Sequence, residues 1–198
     1  MIRDLQRIQI KILSDAPAGL NLDPFLKIFG RWRTEKEHPA EWVDLADYAH
    51  VPRGPGIVLI GQRCNLAFDL ADPAPGIFYA AKKRLTGSHL ERILAAMKSC
   101  LELSKRLVEE EEFPQGLNLR TDSFELRFSD RLETPNTAAT DQELRPAVQQ
   151  VFNLLYGECG YELHLQPDPQ ECFGFWVRAR NAHSLDGLLE RVSEAFPK

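Results

Sequence analysis

The chain has 198 residues, of which 43% are hydrophobic and 27% charged, and its formal net charge is −5. That length supports one large domain or two small ones around a real core, and the composition excludes a chain dominated by disorder. The mild acidic excess argues against broad polyanion binding, although it leaves room for a local basic patch.

The first residues, Met1-Ile2-Arg3-Asp4-Leu5-Gln6-Arg7, lack an apolar stretch of signal-peptide length, and no segment approaches the roughly 20 apolar residues of a membrane helix. The four cysteines, Cys64, Cys100, Cys159 and Cys172, form no Cys-x-x-Cys pair, and no histidine stands at zinc-finger spacing. The expectation is free thiols in a reducing compartment, a cytoplasmic location, no metal site, no cofactor and no membrane association.

Ile8 to Ile12 alternates apolar and polar residues and predicts a half-buried strand. After a loop over Ser14 to Asn21, Asp23-Pro24 opens a helix carrying Phe25, Ile28, Phe29 and Trp32 on one face. Trp42 to Val51 alternates again, and Pro52 to Gly56 reads as a turn. Ile57 to Ile60 is continuously apolar, which predicts a central strand covered on both faces and running on to about Leu70. Another turn at Asp72 to Gly76 precedes a strand over Ile77 to Arg84. Ser88-His89-Leu90-Glu91 is a capping box for a long helix ending near Val108. Glu109 to Glu112 then oppose the helix dipole and predict a fraying, solvated end. Strands follow at Phe124 to Phe128, Tyr161 to Leu165 and Phe173 to Arg180. Helices are expected over Glu143 to Tyr156 and after Ser184, the latter with Leu185, Leu188, Leu189, Val192 and Phe196.

The two parts of the chain, 1–115 and 116–198, spell a similar order of elements. One constant offset pairs Phe68-Asp69-Leu70 with Leu163-His164-Leu165, Phe78 with Phe173, and Lys83 with Arg178. The expected architecture is α+β: a mostly antiparallel sheet with helices on one face, built from two tandem ferredoxin-like βαββα units packed as one globule.

Asp47 is the main candidate for chemistry. It interrupts the apolar face of Val43, Leu45, Ala49 and Val51, so it is expected to be buried, near Gly61, with Arg53 or Arg63 as cationic partner. Asp44, Tyr48 and His50 share the opposite face, with Gln62 and Cys64 as neighbours on the next strand. An acid, a phenol and an imidazole in one row could move protons. Strict alternation, however, splays these four residues to two faces, and no nucleophile motif accompanies them. The leading expectation is therefore a non-enzymatic binding or assembly module, acting as a homodimer or on another protein. The alternative is an enzyme acting on a small anion through Asp44, Asp47, Tyr48 and His50, with Arg53, Gln62 and Arg63 as ligand-binding candidates. Nucleic-acid binding through Lys82-Lys83-Arg84 and Arg178 with Arg180 is the weakest reading. The aromatic Phe173-Gly174-Phe175 departs from the RNA-recognition pattern at Glu171, Cys172 and Arg178.

The stretch Asp44-Leu45-Ala46-Asp47-Tyr48-Ala49-His50-Val51, with Gly54-Pro55-Gly56 and Leu59-Ile60-Gly61, resembles a segment of an uncharacterised bacterial protein family. The resemblance covers about Val43 to Arg84. It implies a bacterial origin and a hairpin here, and brings no activity, cofactor or partner.

Overall fold

The structure is a computed structural model that describes residues 2–35 and 38–195. Its elements are β1 (Ile8–Ser14), α1 (Asp23–Arg33), β2 (Trp42–Tyr48), β3 (Gly56–Gly61), β4 (Cys64–Asp69), β5 (Gly76–Ala81), α2 (His89–Val108), β6 (Leu119–Phe128), α3 (Ala138–Tyr156), β7 (Tyr161–Leu165), β8 (Phe173–Ala179) and α4 (Leu185–Glu194). The fold is α+β, as expected. All eight strands join one antiparallel sheet in the order β2-β3-β4-β5-β1-β6-β8-β7.

Period-two alternation gives the sheet two unlike faces. Ile8, Ile10, Ile12, Phe124, Leu126 and Phe128 point one way and are almost fully buried. The helices cover that side: Phe25 of α1 stacks on Phe68 of β4, and Phe152 of α3 meets Phe124 of β6 edge-on. α2 packs on β1 and β5, and α4 on α2 and α3. The opposite face carries no helix. There Phe78, Lys11, Glu125, Trp176 and His164 lie side by side across β5, β1, β6, β8 and β7.

Local chemistry explains the helix starts. Ser88 accepts the Glu91 N–H while the Glu91 carboxylate takes the Ser88 N–H, the reciprocal box read from sequence. Ser184 caps α4 in the same way through the Gly187 N–H. Phe196, expected on this helix, lies outside the described residues. α3 begins five residues before the expected Glu143, because Thr137 accepts the Thr140 N–H and caps a polar first turn that has no apolar periodicity.

Several expectations need correction. The apolar stretch from Ile57 is two strands, broken by a turn at Gln62-Arg63. β3 is not covered on both faces: Ile57 and Leu59 enter the core, while Val58 and Ile60 are half-buried on the open side. Of the four glutamates after α2, Glu109 and Glu111 are solvated as expected, but Glu110 and Glu112 are held. Glu110 accepts the indole N–H of buried Trp32 at 2.5 Å, and Arg31 pairs with both Glu110 and Glu112. The constant offset also fails as a structural equivalence. Phe78 lies on the open face and Phe173 on the helix face, a displacement that an odd slip in register produces.

All four cysteines are free. Burial pushes the Cys64 and Cys100 thiols up to about 12, so neither supplies thiolate near neutrality. A thiol reagent applied to native protein should modify exposed Cys159 first and half-buried Cys172 next. Cys64 and Cys100 should react only in denaturant. Peptide mass spectrometry reads the order, and rapid native labelling of Cys100 would contradict the packing described.

Candidate functional site

The residues singled out from sequence do not converge. Asp44 and Tyr48 pair with Ile60 and Gly56 and face the open side, whereas Asp47 pairs with Ile57 and faces the helix side. His50 lies in the turn beyond the strand, which ends at Tyr48 rather than Val51. Asp47 is exposed, contrary to expectation, and its Oδ1 accepts the Ala49 N–H at 2.8 Å. The physical reason is position: β2 is the sheet's outer strand, so a side chain on its helix-side face can remain uncovered. Gly61 lies opposite Trp42, not Asp47.

The proposed cationic partners are engaged elsewhere. Arg53, at positive φ in the turn, pairs with Asp72 at 3.1 Å. Arg63 donates Nε to Glu41 at 2.7 Å. Gln62 is an exposed turn residue whose N–H binds the Glu41 carbonyl. Asp47 does border a cavity of about 580 Å³ beside the Ala16–Leu22 loop. The polar side chains there serve the local backbone, since Asn21 holds the Asp23 N–H and Asp47 the Ala49 N–H.

A different cavity brings usable groups together. α1 lies over β2 and β3, and α2 over β5 and β1. Between them, at one end of β4 and β5, the sheet presents Cys64 and Ala81, and α2 presents Ser99. Side chains this small leave the layers unfilled, and a cavity of about 350 Å³ results. That lies within the size range of small-molecule pockets. Cys64, Tyr79, Ala81 and Leu103, at 5%, 5%, 6% and 8% exposure, give it an apolar floor.

The rim is basic. Arg63, Lys83, Arg106 and His38 surround the opening with Glu102, and Arg63 and Arg106 also hold Glu41 and Glu35. Arg106 is fixed over the Trp32 ring at 4.0 Å and pairs with Glu35. Lys83 is exposed and makes no ion pair among the described residues. His38 stacks on Trp42, and its Nδ1 accepts the Ala40 N–H at 3.1 Å. Burial, reinforced by Arg106, holds its pKa below the usual imidazole range. His38 is therefore neutral at pH 7, with Nε2 carrying the proton and free to donate. Burial raises the Tyr79 phenol, which hydrogen-bonds Ser99, so it stays protonated as well. The cavity has donors and an apolar floor, and burial keeps its one thiol protonated near neutrality.

Of these residues the sequence reading named Arg63, Cys64 and Lys83, for other reasons. His38, Ser99 and Arg106 come from one loop and one helix, and no spacing connects them. The basic strand ends also separate. Lys83 sits at this cavity, whereas Arg178 lies on β8, which runs opposite to β5, at the other end of the sheet. Phe173 and Phe175 point into the core and are not displayed for stacking.

Among the described residues no group of three His, Cys, Asp or Glu side chains could hold a metal ion, and no helix is long and apolar enough to cross a membrane. These features define an α+β protein with a half-open sheet and an amphipathic, basic-rimmed cavity. No protein-family model matches the chain, and no curated protein matches it.

Proposed function

We propose that this protein is a non-enzymatic, cytoplasmic binding module that holds a small amphipathic anion in the cavity between α2 and β4–β5. The observation that carries this reading is the pairing of an apolar floor with a rim of Arg63, Lys83, Arg106 and the His38 donor. The ligand's apolar body lies against Cys64, Ala81 and Leu103, and its anionic head meets the rim. Covering apolar surface supplies the affinity, and charge-assisted hydrogen bonds at the mouth select the head group. The raised pKa of the buried Cys64 thiol favours binding over turnover.

The architecture we infer is a pair of ferredoxin-like units. In the second part of the chain, β8 lies between β6 and β7, which α3 connects. In the first, β5 lies between β1 and β4, connected through α1 with the β2–β3 hairpin inserted. This order supports a duplication, with 1–115 and 116–198 as its two parts, even though the gap-free sequence offset does not hold. The sheet face without helices is the surface left for a homodimer or partner.

Calorimetric titration with decanoate tests the binding reading. Decanoate should bind, while decanol and decyltrimethylammonium should bind at least roughly tenfold more weakly, a difference of about 1.4 kcal/mol. Lys83→Glu should weaken decanoate by roughly tenfold without lowering the melting temperature. Equal binding of the three compounds would contradict a basic head-group site.

A further inference from the structure

We propose that the open face of the sheet carries a second, independent site, for a zwitterion with an apolar side chain: a free α-amino acid. A cavity of about 270 Å³ lies there, formed by β6, β7 and β8 with Leu13 and Pro73 closing one side. It is remote from the helix-side cavity, because the two occupy opposite faces of the sheet.

The chemistry of this cavity is balanced in a specific way. Trp176 is the one tryptophan with substantial exposure, at 40%, while Trp32 and Trp42 are at 0% and 8%. Its indole N–H donates to Glu125 Oε1 at 3.2 Å, which fixes the ring with one face to solvent. Glu125 is only 3% exposed although no helix covers it, and Arg127 Nε also donates to its Oε1 at 2.6 Å. Arg120 donates to the Ser123 hydroxyl at 3.0 Å and pairs with Asp15 at 3.8 Å and Asp122 at 3.9 Å. Arg178 stands directly across from Ser123 on one side and Glu162 on the other, and makes no ion pair among the described residues.

Arg178, which makes no ion pair among the described residues, and the exposed carboxylate of Glu162 thus stand beside one aromatic surface, while Glu125 is paired with Arg127 and Arg120 with Asp15 and Asp122. A simple anion would meet Glu162, and a simple cation would meet Arg178. A molecule bearing both charges a few bonds apart matches both. Its carboxylate pairs with Arg178, its ammonium with Glu162, and its side chain lies on Trp176. Cation–π attraction between the ammonium and the indole adds to the match. Leu13 and Pro73 favour an apolar side chain over a polar one.

Because the other two tryptophans are buried, iodide quenching of the full-length protein reports mainly on Trp176. L-leucine and L-phenylalanine, each raised to about 10 mM, should protect it from quenching with a midpoint at or below the millimolar range. Phenylpropionate lacks the ammonium and phenethylamine lacks the carboxylate, so each should need at least roughly tenfold more. Arg178→Gln, at an exposed side chain, should leave the melting temperature unchanged and abolish the protection. Absence of protection by both amino acids would overturn the proposal. So would equal protection by either single-charge analogue, or protection unchanged in Arg178→Gln; the charges would then be only a solvated network.

Discussion

Asp69→Ala is expected to destabilise the protein by about 3–5 kcal/mol, the usual cost of leaving one member of a buried ion pair alone. Lys11 is 1% exposed, and its ammonium has two bonds: Asp69 Oδ2 at 2.6 Å and the Ala71 carbonyl at 2.7 Å. Without the carboxylate, one carbonyl faces a desolvated cation in the middle of the sheet. For a chain of this length the melting temperature should fall by roughly 6–20 °C. Lys11→Met combined with Asp69→Leu should recover most of that loss, since an apolar pair of similar volume removes the stranded charge. A loss below about 1 kcal/mol for Asp69→Ala, measured by urea denaturation, would mean that water reaches Lys11 and that this part of the open face is not closed.

Glu110→Ala is expected to cost about 2 kcal/mol, within the ~1–3 kcal/mol of an orphaned buried donor. Trp32 is fully buried, and its indole N–H has Glu110 as acceptor. The ion pair of Glu110 with half-exposed Arg31 adds little, because solvent screens it. Glu110→Gln separates the two contributions. The amide oxygen still accepts the indole N–H, so most of the stability should return although the charge is gone. If Gln were as damaging as Ala, the charge would matter more than the hydrogen bond. Movement of α1 would also disturb Arg106, which rests on Trp32, so Glu110→Ala should weaken ligand binding at the basic-rimmed cavity too.

Much of the fold was legible because it rests on local chemistry. The Ser88 box, the Ser184 cap and the alternation in β1, β6 and β8 are properties of neighbouring residues, and they appear where expected. Asp47 shows where such reasoning ends. Its face was counted correctly, but burial depends on what packs above a strand, and β2 is at the sheet's edge. The Ile57–Ile60 stretch failed in the same way: Val58 and Ile60 are apolar without a covering layer, so an unbroken apolar stretch did not mean a doubly covered strand. The glutamates of 109–112 could not be placed by the helix dipole alone, because their partners Arg31 and Trp32 lie some eighty positions earlier.

The cavity was illegible for a related reason. It is defined by what is missing: bulk at Cys64, Ala81 and Ser99, residues unremarkable until β4, β5 and α2 are superposed. Its cations come from a hairpin turn, the end of a strand and a helix. Small residues facing one another across layers are the only sequence signal for such a space, and they become readable only once the register is known.

The site assignment is tested most directly by photo-crosslinking with a decanoate that carries a diazirine on its chain. Irradiation followed by peptide mass spectrometry should place the label on the segments holding Tyr79 to Leu85 and Ser99 to Arg106, with loss of labelling when excess decanoate is added or Ala81 is replaced by Trp. Saturable labelling confined to the open face of the sheet, or labelling that survives the filled cavity of Ala81→Trp, would contradict the assignment.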